Sequence, residues 1–180
     1  MNTVRANPLE FAERVALEYD SLGLNFLRWN GGGDLFAESV EAINYLGRKR
    51  PDIILWVVTR LPELASKIED LPNVFIHFSL DRNSIDRRRQ FLDLKPYSYN
   101  YFFSYQCDKN EKPEVEHLKN VSVMFFDNYV PTSSLPKSSM EINCPLNEAK
   151  DITGICEGCR RCFNGDAVEY SKSLKTVKTG

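Results

Sequence analysis

Ile53-Ile54-Leu55-Trp56-Val57-Val58 is a continuous apolar run of strand length in the first half of the chain. A strand inside a parallel sheet has this composition because both of its faces are covered and neither meets water. Segments of helical period flank the run on both sides, and more strand-like segments follow it. The run therefore predicts the central strand of a parallel α/β sheet.

Helical and strand-like segments alternate around this run, with short links between them. Apolar residues at steps of three and four predict helices at 9–19 and 37–46, and Gly47 with the basic run 48–50 is expected to end the second. The other predicted elements are strands at 24–29, 74–78, 99–104 and 121–126 and helices at 62–70 and 84–92. Repeated strand–helix pairs indicate right-handed crossovers, so the predicted fold is a partial parallel (β/α) barrel or an open parallel sheet.

The composition is that of a globular chain: 180 residues, 42% hydrophobic, 27% charged and a formal net charge of -2. Such a length buries a core without disulfides, and a charge near zero creates no general field toward nucleic acid or an anionic membrane. No window offers the roughly 20 apolar residues of a membrane-spanning helix, and no apolar run follows the first charged residue. We therefore expect a cytoplasmic protein without a membrane partner, where structural disulfides are disfavoured.

Four parts are expected along the chain. An α/β domain occupies residues 1–130, a linker rich in Pro, Ser and Thr occupies 131–143, a cysteine-rich metal-binding segment occupies 144–170, and a flexible tail occupies 171–180. Clusters of Pro and Ser between patterned segments are typical of linkers, and polar chain ends are commonly loose.

Four of the five cysteines lie in the third part: Cys144, followed by proline, and then Cys156, Cys159 and Cys162 in the spacing C-x-x-C-x-x-C. Their neighbours are mostly polar, so core packing does not explain them. A [4Fe-4S] cluster takes cysteines at C-x-x-C steps with a further one beside proline, whereas zinc is commonly held by two separate C-x-x-C pairs. We predict a [4Fe-4S] cluster on these thiolates, with Zn²⁺ as the alternative; a disulfide would require an oxidising compartment.

The carboxyl ends of parallel strands, with the loops that leave them, form the ligand site in α/β proteins. At one end, glycine backbone can approach a ligand closely, and the carboxylate after the glycines can accept bonds from an ammonium or a ribose hydroxyl. The candidate ligand-binding residues at the three ends are Gly31, Gly32, Gly33, Asp34, Thr59, Ser79 and Asp81. A glycine turn and helix-capping side chains explain the same residues without a ligand.

The order of these features resembles that of the radical S-adenosylmethionine (SAM) enzymes. Residues 30–36, Asn-Gly-Gly-Gly-Asp-Leu-Phe, resemble the Gly-Gly-Glu-Pro loop that holds the methionine amino group of that cofactor. Residues 54–60 are similar to the next strand of the family, and residues 75–81 to the strand that ends in Ser-Leu-Asp. The resemblance covers residues 24–92 and implies SAM at the strand ends, with the C-terminal cysteines resembling an auxiliary-cluster segment. The chain is also similar to small phage- and plasmid-borne proteins.

The chain departs from that family at its defining loop. No cysteine precedes Cys107, so the C-x-x-x-C-x-x-C loop, whose cluster cleaves SAM, is missing. Four protein thiolates would also fill every iron position of a cubane, which leaves no open iron to chelate SAM. We therefore expect electron transfer or a structural role for the C-terminal cluster, and the sequence does not decide whether the chain is an enzyme.

Two function classes follow. The first is an iron–sulfur-binding, radical-SAM-like protein that holds SAM or another small molecule at the strand ends. The second is a non-catalytic zinc-stapled module that binds nucleic acid or a protein partner, since Arg160-Arg161 between the thiols suits phosphate contacts. His77, inside an apolar strand, is expected to be a core residue rather than a catalytic base.

Overall fold

The structure, a computed structural model, describes residues 2–29, 33–94, 100–107 and 121–126. The predicted linker, the cysteine-rich segment and the tail lie outside these residues. So do Gly31 and Gly32 of the glycine loop. Within the described ranges, no helix combines the length and the apolar character that crossing a membrane would require.

The described residues contain five helices and five strands. The helices are α1 (Asn2–Ala6), α2 (Pro8–Leu22), α3 (Ala37–Lys49), α4 (Pro62–Ala65) and α5 (Arg87–Leu94). The strands are β1 (Leu27–Trp29), β2 (Leu55–Thr59), β3 (Val74–Leu80), β4 (Tyr101–Cys107) and β5 (Val121–Phe126).

The five strands form one sheet in the order β1-β2-β3-β4-β5, and every neighbouring pair is parallel. The strand order follows the chain order, with β1 and β5 at the two edges of an open sheet. Consecutive parallel strands joined through helices are the arrangement of a partial (β/α) barrel. The predicted fold class is therefore confirmed.

The described helices pack on one face of this sheet. Side chains of a strand point alternately to its two faces, and in β2 and β3 it is Leu55, Val57, Ile76 and Phe78 that join the main core. Helix residues complete that core: Ala12, Ala16, Tyr19, Val40, Ala42, Ile43, Leu46, Ala65 and Phe91. We call this side of the sheet the helix face.

The opposite side, here named the second face, has a different cover. Its apolar cluster consists of Ile54 and Phe75, with Phe26 and Phe102 packed against them. Phe75 and Phe102 lie within strands, and Phe26 and Ile54 each lie directly before a strand. No helix among the described residues therefore contributes to this cluster.

Local signals in the sequence fix helix α2. The Asn7 side chain caps its first turn by accepting a hydrogen bond from the Glu10 amide at 3.2 Å, and Pro8 occupies the first helical position. Gly23 ends the helix in the left-handed conformation with φ of 62°, which glycine adopts at little steric cost. The predicted helix at 9–19 is thus confirmed and slightly extended.

Helix α3 corrects one expectation. Gly47 and the basic run 48–50 were expected to end this helix together. The helix does end within the basic run, at Lys49, but Gly47 lies inside the helix and is buried. A Cβ atom at this position would lie 2.8 Å from methyl groups of both Leu71 and Val74. The glycine therefore serves close packing of α3 against the segment that leads into β3.

Helix α4 is shorter than predicted and ends at Ala65 rather than at residue 70. The side chain of Asn44 on α3 donates to the Lys67 carbonyl at 3.0 Å and accepts from the Glu69 amide at 2.9 Å. These two bonds hold the chain after α4 in a path that a helix cannot follow, because they occupy backbone groups that a helical turn would use. Helix α5 likewise starts at Arg87 rather than at residue 84.

Polar side chains lock the amino ends of the central strands. The buried Asn73 donates through its amide nitrogen to the carbonyls of Gly47, Arg50 and Ile53 at 2.9–3.2 Å. Hydrogen bonds to Asp52 and Asp20, at 2.7–3.0 Å, raise the pKa of Arg50 above its ordinary value. This cluster joins α2, α3 and β2 at the edge of the sheet remote from the candidate ligand site.

Candidate functional site

The carboxyl ends of β1, β2 and β3 bring several of the predicted ligand residues together. Asp34 follows β1, Thr59 ends β2, and Asp81 comes directly after β3. Because the strands are parallel and adjacent, their ends meet at one edge of the sheet. Hydrogen bonds then link the side chains into one polar network, which we call the strand-end network: Asp34, Thr59, Arg60, Asp81 and Ser84.

Asp34 is the first member of this network. One of its carboxylate oxygens accepts from the Thr59 hydroxyl at 2.5 Å and from the Leu35 amide at 2.7 Å. The other accepts from the Arg60 amide at 3.0 Å. Three protein donors therefore hold the carboxylate, and Asp34 fixes the end of the glycine loop onto the end of β2.

Arg60 and Asp81 form the second part of the network. The Arg60 guanidinium donates to one oxygen of the Asp81 carboxylate at 2.7 Å. The other oxygen accepts from the Ser84 hydroxyl at 2.8 Å and from the Asn83 amide at 2.9 Å. The Arg60 side chain is 43% exposed, so Asp81 orients a cation that still faces solvent.

The ionisation of Asp81 reflects these contacts. Burial alone raises the pKa of its carboxyl. The Ser84 hydroxyl, the charge of Arg60 and two backbone amides act in the opposite direction, and together they bring the pKa of Asp81 below its ordinary value. Asp81 is therefore held as an anion that binds Arg60.

Two other predicted ligand residues lie differently. Gly33 has a φ of 82°, a left-handed conformation that side chains rarely adopt. Ser79 pairs with Ser104 across β3 and β4 and lies on the second face, outside the strand-end network. Arg60 and Ser84 were absent from the sequence-based set of ligand residues. The position of Arg60 directly after Thr59 was the one signal that pointed to it.

A row of larger side chains crosses the second face. The Arg28 guanidinium carbon lies 4.9 Å from the centre of the Trp56 ring, a cation–π distance. The imidazole of His77 lies between the rings of Trp56 and Phe102, at 5.6 and 5.5 Å. His77 is buried inside β3, as the sequence suggested.

Two polar atoms on this face are not matched by the described residues. The indole nitrogen of Trp56 and the hydroxyl of Ser104 are buried, and neither has a hydrogen-bond partner in the part of the chain that the structure describes. Trp56 is 3% exposed and Ser104 is 1% exposed. The sequence did not predict which residues lie on this face, because the apolar run around Trp56 has no alternation between polar and apolar residues.

The four predicted metal ligands, Cys144, Cys156, Cys159 and Cys162, lie outside the described residues. Within those residues, no group of three or more His, Cys, Asp or Glu side chains is placed to hold a metal ion. Cys107 is buried at the end of β4. The metal prediction therefore concerns the C-terminal segment alone.

The open parallel sheet and its strand-end network define an α/β protein with the architecture of a partial (β/α) barrel. A family model described as "Gene product 88" matches residues 5–165, and the chain belongs to this family. That description fits the similarity to phage-borne proteins. The matched range contains the whole sheet and all four C-terminal cysteines. Searches of curated proteins and of solved structures found no match.

Proposed function

We propose that this protein is an iron–sulfur protein that carries a [4Fe-4S] cluster on Cys144, Cys156, Cys159 and Cys162. The observation that carries the proposal is the C-x-x-C-x-x-C spacing with an upstream Cys-Pro, inside the range that the family model matches. Fe–S clusters are held by cysteine thiolates at such spacings. A family unit that includes both the sheet and these cysteines supports a joint role for the two parts.

The donor set also suggests what the cluster does. Four thiolates occupy all four irons, so the bound group supplies one-electron chemistry or a structural link rather than an open coordination position for a substrate. Zinc is the alternative occupant, because it is also bound by four thiolates. Iron and zinc are therefore the two results that the first experiment must distinguish.

The strand-end network is the proposed site for a small ligand. The half-exposed Arg60 offers its guanidinium to a carboxylate or phosphate. A carboxylate has about four acceptor positions, and Asp34 uses three of them within the protein, which leaves capacity for a ligand ammonium. A molecule with both groups, such as the methionyl part of SAM, suits these two residues.

Purification without oxygen, followed by iron, acid-labile sulfide and zinc analysis, tests the cluster proposal. A brown protein with about four irons and four sulfides per chain is the expected result. One zinc per chain in a colourless protein would instead favour the zinc-stapled module that binds nucleic acid or a protein. A chain that carries neither iron nor zinc would contradict both metal proposals.

A further inference from the structure

The side chain of Arg28 lies beside that of Trp56 on the second face. Leu27 and Trp29 pack in or against the main core, so the alternation of side chains along β1 places Arg28, which lies between them, on the opposite face. The register pairs Arg28 with Trp56 across β1 and β2, and the Arg28 guanidinium carbon lies 4.9 Å from the centre of the Trp56 ring. The strand register and the measured distance therefore place the two side chains together.

Neighbouring side chains hold the Trp56 ring in position. Its centre lies 6.4 Å from that of the Phe26 ring and 5.6 Å from that of the His77 ring, while Arg28 lies over one of its faces. A side chain that is already held on several sides loses little conformational freedom when it binds a ligand, and this preorganisation favours affinity. The indole N–H of Trp56 is therefore a donor with a fixed position.

This donor has no acceptor among the described residues. Trp56 is 3% exposed, and its buried indole nitrogen forms no hydrogen bond within the part of the chain that the structure describes. Buried polar groups in proteins are nearly always hydrogen-bonded, so an exception requires an explanation. A bound ligand that supplies the acceptor provides one.

Arg28 brings a positive charge to the same place. Its side chain is exposed, and none of the ion pairs between described residues includes it. A guanidinium carries five N–H donors in a planar fork, and two of them match the two oxygens of a carboxylate or phosphate. The cation and the buried indole N–H are therefore both suited to the same kind of ligand group, an oxyanion.

We propose that Arg28 and Trp56 form a binding site for an oxyanion, the carboxylate or phosphate group of a small molecule. One oxygen accepts from the indole N–H of Trp56, and another accepts from the Arg28 guanidinium. The indole nitrogen belongs to the ring system over which the guanidinium lies, so hydrogen bonds of about 2.9 Å from both side chains can converge on one such group.

This site is distinct from the strand-end network. Arg60 follows Trp56 by four residues, which corresponds to about 13 Å along a strand. Neither Arg28 nor Trp56 belongs to the residues proposed to hold the iron–sulfur cluster or the ligand at the strand ends. The inference therefore does not rest on the proposed function, and either one can fail without the other.

The indole N–H resonances of the full-length protein, labelled with nitrogen-15, test the proposal directly. The chain has two tryptophans, so the spectrum of Trp29→Phe assigns the Trp56 resonance. Titration with sodium phosphate or sodium acetate should shift that resonance downfield in a saturable way, because hydrogen bonds to anions are short and strong. The anion that binds more tightly identifies the ligand group as phosphate or carboxylate. The Trp29 resonance of the parent protein is the internal control, since Trp29 lies in the main core, and it should not move.

Two arginine variants separate a specific site from a general effect of charge. Arg28→Gln replaces an exposed side chain and should weaken anion binding by about tenfold or more, because a charge-assisted hydrogen bond is lost. Arg14→Gln is the matched control, since the Arg14 side chain is 66% exposed on α2, and it should keep the affinity of the parent protein.

Three results would overturn the proposal. The first is a Trp56 resonance that stays in place with both phosphate and acetate. The second is a shift of equal size with sodium chloride at the same ionic strength, which would indicate general screening rather than a site. The third is equal anion affinity in Arg28→Gln and Arg14→Gln.

Discussion

The hydroxyl of Thr59 donates a hydrogen bond of 2.5 Å to the carboxylate of Asp34, across a separation of 25 residues in the chain. Thr59 lies at the end of β2, and Asp34 lies directly after the glycine loop. The bond therefore attaches the loop after β1 to the neighbouring strand. Residues chosen from the sequence as ligand contacts are also the residues that give the loop its position.

Removal of the Asp34 carboxylate should destabilise the fold. Asp34→Ala leaves the Thr59 hydroxyl, only 2% exposed as a residue, and the Arg60 amide without their acceptor. We expect a loss of about 1–3 kcal/mol in the free energy of unfolding, measured by urea denaturation. Thr59→Val in the Asp34→Ala background should cost less than Thr59→Val alone, because the two side chains are coupled.

An exposed glutamate provides the control for that experiment. Glu18→Ala on α2 should change the unfolding free energy by no more than about 0.5 kcal/mol. Equal effects of Asp34→Ala and Glu18→Ala would contradict the anchoring role of Asp34.

The contribution of Asp81 to stability should depend on pH. The pKa of Asp81 is lowered in the folded protein, while its unfolded value is about 3.9. Its stabilising contribution is therefore present above that unfolded value and is lost as the pH falls through the folded pKa. The stability gap between the parent protein and Asp81→Asn should be largest near about pH 7 and should shrink below about pH 4.

Denaturation curves collected at several pH values measure this gap. Ser84→Ala removes one of the donors to Asp81. The stability difference between the parent protein and Ser84→Ala should therefore be smaller than that between the parent and Asp81→Asn, with the same pH dependence. A gap that stays constant from neutral to acidic pH would show that the Asp81 charge makes no contribution.

Arg60 should determine ligand affinity at the strand ends. Arg60→Gln removes the half-exposed guanidinium, and loss of one charge-assisted hydrogen bond of about 1.5–3 kcal/mol weakens binding by about tenfold or more. Isothermal titration with SAM measures the affinity. Arg89→Gln is the control, because that side chain is 90% exposed on α5 and should leave affinity unchanged. Equal affinity for SAM in Arg60→Gln and Arg89→Gln would show that Arg60 does not bind the ligand.

Gly47→Ala should destabilise the protein, although alanine is the better helix former. The new methyl group would meet Leu71 and Val74 at 2.8 Å, and such overpacking costs about 1–3 kcal/mol. The gain in helix propensity of about 1 kcal/mol does not fully offset that cost. Thermal unfolding should show a lower melting temperature, and an increase would mean that Leu71 and Val74 rearrange freely.

The sequence predicted the features that depend on local patterns. The apolar run 53–58 led to β2 and to the parallel sheet, and the Asn7-Pro8 start and Gly23 end of α2 follow from the side chains of these residues alone. The features that it missed depend on residues distant in the chain. The end of α4 depends on a hydrogen bond from Asn44 to the Lys67 carbonyl, 23 residues apart in the chain. The space around Gly47 is filled by Leu71 and Val74.

The residues of the candidate site could likewise be predicted from the sequence only in part. Glycine, threonine and aspartate at the strand ends could be identified from their positions after predicted strands. The Arg60–Asp81 ion pair depends on the register of β2 and β3 and on contacts 21 residues apart, which no local pattern encodes. The sequence did not indicate that the indole nitrogen of Trp56 is buried without a partner among the described residues, because Trp56 lies in a run that is apolar throughout.

The central claim is that Cys144, Cys156, Cys159 and Cys162 together hold one iron–sulfur cluster, and iron content in cysteine variants tests it most directly. Cys156→Ser and Cys107→Ala form a matched pair, since Cys107 is buried in β4 and is not one of the four proposed ligands. After anaerobic purification, we predict about four irons per chain in the parent protein and in Cys107→Ala, and a marked loss in Cys156→Ser. Equal iron content in the two variants, or zinc in place of iron in the parent protein, would contradict the claim.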